Sequence, residues 1–244
     1  KKTLTLTTEI IMEVNDRSSL FIGQMRGIKS YVLRQTRIST MQSRALDAYF
    51  SKWGISFQMQ YLDLDQLFHR TACKTLEIGF GMGLSLLRTA QKHPEIDYLG
   101  IEVHRPGIGS LLQLIEKEKV SNIRIIWHDA VQVLSYMIAN NSLDAVHIYF
   151  PDPWPKKRHH KRRLIQSPFV ALLTQKIKLG GYLHLATDWQ DYAQQMLEVL
   201  SAEPLFCNTA TDFAIRPSDR PLTKFEERAK TLNHCIWDLI FEKC

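Results

Sequence analysis

From Cys73 onward, short apolar runs rich in β-branched residues alternate with longer stretches whose apolar positions recur every three to four residues. Cys73–Ile78, Asp97–Glu102, Ile123–His128, Asp144–Phe150 and Gly181–Thr187 read as strands. Between them, Gly83–Lys92, Arg105–Lys119, Ala130–Ala139, Leu164–Ile177 and Trp189–Leu200 read as helices. Strict strand–helix alternation predicts right-handed βαβ crossovers, and so an α/β fold with a parallel sheet covered on both faces. Past Leu200 the pattern predicts a strand about Phe206–Ile215, a polar loop holding Pro217 and Pro221, a short helix, and a last strand about His234–Phe241. Two late strands without a long crossover between them pair antiparallel at a sheet edge. Ahead of Cys73, Ser39–Trp53 predicts an amphipathic helix with Ser39 as N-cap and Ala45, Leu46, Tyr49, Phe50 and Trp53 as its apolar face. Residues 1–16 carry no such pattern and are expected as an extension ahead of one domain over 17–244, with no repeat or linker to divide it.

Composition narrows the class. At 45% hydrophobic and 23% charged residues over 244 positions, the chain can bury a sizeable core and is not intrinsically disordered. No apolar run approaches the roughly 18–20 residues of a membrane span and no secretory leader is visible, so a soluble cytoplasmic protein is expected. Cys73, Cys207, Cys235 and Cys244 show no CxxC spacing, which predicts free thiols, neither a disulfide framework nor a bound metal. The net charge of +6 hides a strong asymmetry. Lys156, Lys157, Arg158, His159, His160, Lys161, Arg162 and Arg163 form one basic run, and Arg17–Leu46 carries six bases and no acid. These segments hold twelve of the 31 bases, leaving 19 against 25 acids elsewhere. Basic runs are most often solvated surface, but two on an acidic body suit a polyanion, and they are expected to share one face.

The candidate chemistry lies at strand ends. Glu77-Ile78-Gly79-Phe80-Gly81-Met82-Gly83 is a strand, a glycine turn and a helix start. Gly79, Gly81 and Gly83 permit positive φ and close approach of a ligand to backbone. Leu84 stands where the dinucleotide fingerprint GxGxxG needs its third glycine, so the spacing is GxGxG and disfavours a nicotinamide dehydrogenase. Glu102 ends the second strand, where a carboxylate can accept from both hydroxyls of an adenosine ribose. Asp129 ends the third, as a further ligand or as a helix N-cap, and Asp152 follows the fourth. Ligands of open α/β sheets sit at these carboxyl ends.

This pattern resembles the class I S-adenosylmethionine-dependent methyltransferases. The resemblance implies a Rossmann-like, mostly parallel seven-stranded sheet with helices on both faces, and S-adenosylmethionine as cofactor. Glu77 would then face the methionine end, Glu102 the ribose and Asp129 the adenine. Phe150-Pro151-Asp152-Pro153-Trp154-Pro155-Lys156, with the basic run behind it, closely resembles the signature of bacterial tRNA guanine-N7 methyltransferases. Tyr31–Gln35, Ala186–Trp189 and Thr223–Glu226 add to the match, which covers roughly residues 30–240. It implies methyl transfer to N7 of guanine 46 in the tRNA variable loop. Asp152 would be the catalytic carboxylate and an additional cofactor contact. Lys156, Asp188, Thr223, Lys224, Phe225 and Glu226 would be substrate contacts, and Arg158, His159, His160, Lys161, Arg162 and Arg163 an RNA-binding segment. Read without the resemblance, Asp188 could cap the following helix, Glu226 could be a surface acid, and Trp154 could either stack on RNA or wedge its loop. Two other functions fit parts of the pattern. An N6-adenine methyltransferase would need a second consecutive proline and a tyrosine after Asp152, and a noncatalytic RNA-binding subunit would not need intact acids and glycines. Monomer and homodimer both remain open.

Overall fold

The computed structural model describes residues 29–31 and 37–244. The extension expected at 1–16, and Arg17, Arg26 and Arg34 of the first basic segment, lie outside the described residues.

The first described helix, α1 (Thr40–Trp53), starts as its sequence dictates. Ser39 Oγ accepts from Gln42 N while Gln42 Oε1 accepts from Ser39 N, a reciprocal capping box. β1 (Gly54–Ile55) and the short α2 (Leu64–Phe68) follow. The alternation then runs β2 (Lys74–Ile78), α3 (Leu84–Lys92), β3 (Asp97–Glu102), α4 (Arg105–Glu118), β4 (Ile123–Trp127), α5 (Ala130–Tyr136) and β5 (Leu143–Tyr149). A 3₁₀ turn over Lys157–Arg162 leads to α6 (Ser167–Lys176), β6 (Ile177–Thr187) and α7 (Gln190–Ser201). β7 (Phe206–Asn208), α8 (Lys224–Thr231) and β8 (Trp237–Lys243) complete the chain.

The sheet order is β1-β4-β3-β2-β5-β6-β8-β7, parallel from β1 to β6, with β8 antiparallel to both β6 and β7. It has eight strands rather than seven, because the two-residue β1 adds an edge that is too short to show a period. The core divides across the sheet. One cluster joins α1, α3 and α4 to it through Leu46, Leu86, Leu87, Ile108, Leu111 and Ile115. The other joins α5, α6 and α7 through Leu134, Phe169, Leu173, Tyr192, Met196 and Leu200. β2, buried at every residue, lies between β3 and β5, where the strand order reverses, and the carboxyl ends on either side of it open a crevice.

Three expectations are corrected. The strand expected over Phe206–Ile215 ends at Asn208, because the Asn208 side chain bonds Ala210 N and Asp212 O and turns the chain away. Only Ala214 rejoins, as a single bridge to Asp238. The last strand starts at Trp237, not His234, since His234 N still bonds Ala229 O behind α8 and Asn233 is left-handed at φ 54°. Cys207 and Cys244 are not free thiols but a disulfide with Cα atoms 6.2 Å apart, and the antiparallel pairing of β7 with β8 brings them together across 37 residues. Cys73 and Cys235 are free and exposed.

Candidate active site

At the carboxyl end of β2 the chain turns through Gly79, Gly81 and Gly83 with φ of 76°, 59° and 80°. A Cβ on Gly79 or Gly81 would meet nothing within 4 Å, so these backbones face open space. Gly83 caps α3 from the left-handed region, and a side chain there would strike Leu111 of α4. A fourth glycine was not singled out from sequence. Gly107 in α4 lies so close to the turn that a Cβ on it would stand 2.1 Å from the Gly81 carbonyl oxygen.

The space over the turn is a cleft of about 320 Å³, within the range of small-molecule sites. Gly79, Gly81, Glu102, Asp129, Asp152 and Phe225, all anticipated, line it. Glu102 is nine-tenths buried and grips the turn: one oxygen accepts from Gly81 N at 2.8 Å, the other from Val103 N at 2.7 Å and His104 N at 2.9 Å. With about four lone-pair positions on a carboxylate, one remains for a ligand hydroxyl. Asp129 does both things the sequence allowed, capping α5 through Gln132 N at 3.1 Å while lining the cleft. Ile78, Ile101, Val103, Ala130 and Val131 supply an apolar wall of the kind a flat aromatic base packs against.

Glu77 and Gly83 do not line the cleft. Glu77 is buried beneath the turn, and burial, helped by the charge of Glu102, pushes its carboxyl up to about 8. Its surroundings are polar: burial also raises the nearby Tyr149 hydroxyl, while burial and then His184 lower His147 to about 3 and keep it neutral.

Beyond β5 the backbone is held in a strained path. Phe150 and Trp154, neither of them glycine, have φ of 52° and 45° on either side of Pro151-Asp152-Pro153. Such residues cost about 1–3 kcal/mol each, and the surroundings hold them. Phe150 N donates to Ala186 O, the Trp154 indole N–H donates to Ser30 O at 3.0 Å, and Arg162 stacks over the indole ring at 4.7 Å. Trp154 is therefore a wedge that fastens this loop to the first basic segment, whose Ser30 and Tyr31 also line the cleft. Burial, followed by the charge of the nearby Asp129, raises the pKa of the Tyr31 hydroxyl, and Lys29 beside it opposes that rise. Asp152 is exposed on the cleft wall.

The remaining anticipated residues divide by exposure. Lys156, Arg158, Lys161 and Lys224 are exposed, and His159, His160 and Arg162 are half-buried. Partial burial and then the surrounding cations lower the pKa of His159. Arg163 is buried: its guanidinium bonds Pro153 O, Gln195 Oε1 and Asp191, which ties the Asp152 loop to α7. Asp188 is half-buried and does not cap α7, which starts at Gln190 without any side-chain cap. Thr223 Oγ accepts from Glu226 N at 3.1 Å. Glu226 is not a surface acid but fully buried, paired with Arg216 and Arg220. Phe225, 58% exposed, stacks on Phe150 at 6.0 Å and so sets α8 at the cleft mouth.

A family model described as "Putative methyltransferase" matches residues 71–239. The chain is 53% identical over 229 residues to a tRNA (guanine-N(7)-)-methyltransferase of Neisseria meningitidis, covering 94% of this chain and 95% of that one. It is 57% identical over 218 residues to the protein of that name from Burkholderia cenocepacia, covering 89% and 86%. Among solved structures the fold is shared with the 16S rRNA methyltransferase KamB, at a TM-score of 0.56, 12% identity and 76% and 95% coverage. It is shared also with the aminoglycoside resistance methyltransferase NpmB1, at a TM-score of 0.52, 15% identity and 77% and 95% coverage. With the glycine turn, the strand-end acids and the proline-flanked Asp152 around one cleft, and relatives more than half identical over nearly the whole length, the chain belongs to the tRNA (guanine-N7-)-methyltransferase family.

Proposed function

We propose that this protein methylates N7 of guanine in tRNA, at guanine 46 of the variable loop, with S-adenosylmethionine as donor. The reading is carried by one observation: Asp152, from the segment most characteristic of the family, lines the same cleft as Gly79, Gly81, Glu102 and Asp129.

The residues present fit the cofactor. The open space over Gly79 and Gly81 leaves room for a chain against bare backbone, Glu102 keeps a lone pair for the ribose, and Asp129 stands beside the apolar wall for the adenine. Glu77, beneath the turn, holds its proton up to about pH 8 in the free protein and offers negative charge toward the ammonium end once ionised. When bound, S-adenosylmethionine supplies a methyl group made electrophilic by its sulfonium.

Guanine N7 carries a lone pair and no proton, so attack there needs no general base at the attacking atom. What the protein must supply is alignment, worth about 7–11 kcal/mol of barrier, and negative charge where the purine becomes cationic. Asp152 does both: its carboxylate accepts from the guanine N–H groups and offsets the charge that grows on the ring. Phe225 and Phe150 close the mouth with aromatic faces for stacking. Lys156 and the exposed bases after it attract the phosphates, while Arg163 acts indirectly by fixing the loop. N7 of a base in A-form RNA lies in a groove too narrow for side chains, so the target is an unpaired or displaced guanine.

Incubation with methyl-labelled S-adenosylmethionine and unmodified tRNA transcript, followed by mass-spectrometric mapping, tests the proposal. Label on N7 of guanine 46 is expected; label on adenine N6, or none, overturns it.

A further inference from the structure

Besides the cleft, a groove of about 370 Å³ runs between α3 and the loop 216–222. Four cationic side chains line it, Arg88, Lys92, Arg216 and Arg220, against one acid, Asp219. That clustering stands out in a body that, outside the two basic segments, has fewer bases than acids. Arg88 and Lys92 are four residues apart on α3 and so share a helix face. Arg216 and Arg220 form a rigid floor, because Glu226 and Asp238 hold them from behind.

The donors are not all used. Arg88 is exposed and makes no hydrogen bond or ion pair among the described residues. Arg216 directs Nε to Glu226 at 2.7 Å, Nη1 to Pro217 O at 3.0 Å and Nη2 to Arg220 O at 2.6 Å and Glu226 at 3.4 Å. Of its five N–H groups, one on Nη1 is left over. Lys92 pairs with the exposed Asp219. The groove also touches the cleft: Arg220 forms part of its wall and lies 5.7 Å from the Tyr149 ring and 5.9 Å from the Phe150 ring, both of which line the cleft.

We infer that this groove is a second nucleic-acid site, one that holds a phosphodiester of the RNA backbone through Arg88, Lys92 and Arg216 while the target base occupies the cleft beyond Phe225. This rests on the tRNA reading above and adds to it a contact surface separate from Lys156–Arg163. An anion is the suitable ligand because the lining presents guanidinium and ammonium donors rather than an apolar wall. A backbone phosphate suits it because the chain runs from Leu222, on the groove wall, through Thr223 into α8, whose Phe225 stands at the cleft mouth.

The test compares wild type with Arg88→Ala and Asp219→Asn, both changes at exposed positions, by tRNA binding over a range of salt. Arg88→Ala is expected to weaken binding about three- to tenfold and to flatten the slope of log K against log salt by roughly 0.7–0.9, the loss of one phosphate contact. S-adenosylmethionine affinity should not change. Asp219→Asn removes the competing acid from Lys92 and should tighten binding. Unchanged affinity and slope in both variants, with a wild type that binds and methylates tRNA, overturns the inference. So does calorimetry in which inorganic phosphate binds the groove, Arg88→Ala abolishes that binding and tRNA affinity does not move, since the site would then be for a small free anion. A wild type that neither binds nor methylates tRNA overturns the tRNA reading itself, and this inference with it.

Discussion

Replacing Glu77 with Gln isolates the acid beneath the glycine turn. Glu77 is 4% exposed, and burial with the neighbouring charge of Glu102 raises its carboxyl from 4.5 to about 8. A carboxyl that holds its proton more tightly folded than unfolded contributes its stability fully below the unfolded value. That contribution is lost as the pH rises through the folded value. The window is therefore pH 4.5 to 8, with stability falling as pH rises. Between pH 5 and pH 8, at about 1.4 kcal/mol per pH unit and levelling off at the top, wild type loses about 3 to 4 kcal/mol from this group. Gln has the same shape and cannot ionise, so it is spared that loss. Any fixed cost of an amide in the site is equal at both pH values and cancels. Urea denaturation at constant ionic strength should thus show Glu77→Gln gaining about 3 to 4 kcal/mol on wild type from pH 5 to pH 8. In a chain of this size that corresponds to a melting-temperature difference of roughly 10 °C. The variant should also bind S-adenosylmethionine more weakly, and the wild-type gain in cofactor affinity from pH 6 to pH 8 should vanish. A stability difference independent of pH would refute the reasoning, because Glu77 would then keep one protonation state throughout.

Four further outcomes follow from the geometry. Asp152→Ala should lower kcat by about 100-fold or more, as expected for a lost transition-state charge, while calorimetric S-adenosylmethionine affinity stays within about threefold; equal losses in both would remove the catalytic assignment. Gly107→Ala places a methyl against the Gly81 carbonyl, so cofactor binding should fall at least about tenfold in a protein that still folds, as judged by circular dichroism. Phe225→Ala should raise KM for tRNA several-fold with cofactor affinity unchanged, since the ring is exposed at the mouth and belongs to no core. Arg163→Ala leaves the carbonyl of Pro153 and the amide of Gln195 without their donor and should cost about 2–3 kcal/mol by urea denaturation, a loss that a merely surface cation would not show.

The parts of the site legible in the sequence are those whose physics is local. A glycine turn after a strand, an acid at each strand end and a serine just ahead of a helical pattern are each read within a few positions. The structure has them as expected at Gly79, Gly81, Glu102, Asp129 and Ser39. The parallel sheet follows from the same local alternation. What escapes this reading is any residue whose partners come from far along the chain. Arg163 ends a run of bases and looks like surface, but Asp191 and Gln195 on α7 draw it inside. Glu226 is a different case: its partners Arg216 and Arg220 are only ten and six residues away, but they close over it through an irregular loop that no periodicity marks.

The same remoteness explains the largest feature that sequence reasoning missed. Tyr149, on the cleft wall, bonds His184 Nδ1 at 3.1 Å; His184 Nε2 meets Asp238 Oδ1 at 2.8 Å; Asp238 pairs with Arg220, and Arg220 with Glu226 under α8. One signal was available: on β5, in a run otherwise read as buried and apolar, His147 and Tyr149 recur with period two and so share a face, and polar groups on a buried face need partners. Which partners they find depends on β8 reversing beside β6, and no local pattern encodes that pairing. The consequence is functional. The chain of contacts begins at the cleft wall and ends at the helix carrying Phe225, and Arg220, 1% exposed, belongs at once to this chain and to the wall of the basic groove. A side chain so placed fixes the relative positions of cleft, mouth and groove. In an enzyme whose rate depends on aligning two bound reactants, that positioning is as much a part of the active site as the carboxylate proposed to hold the base.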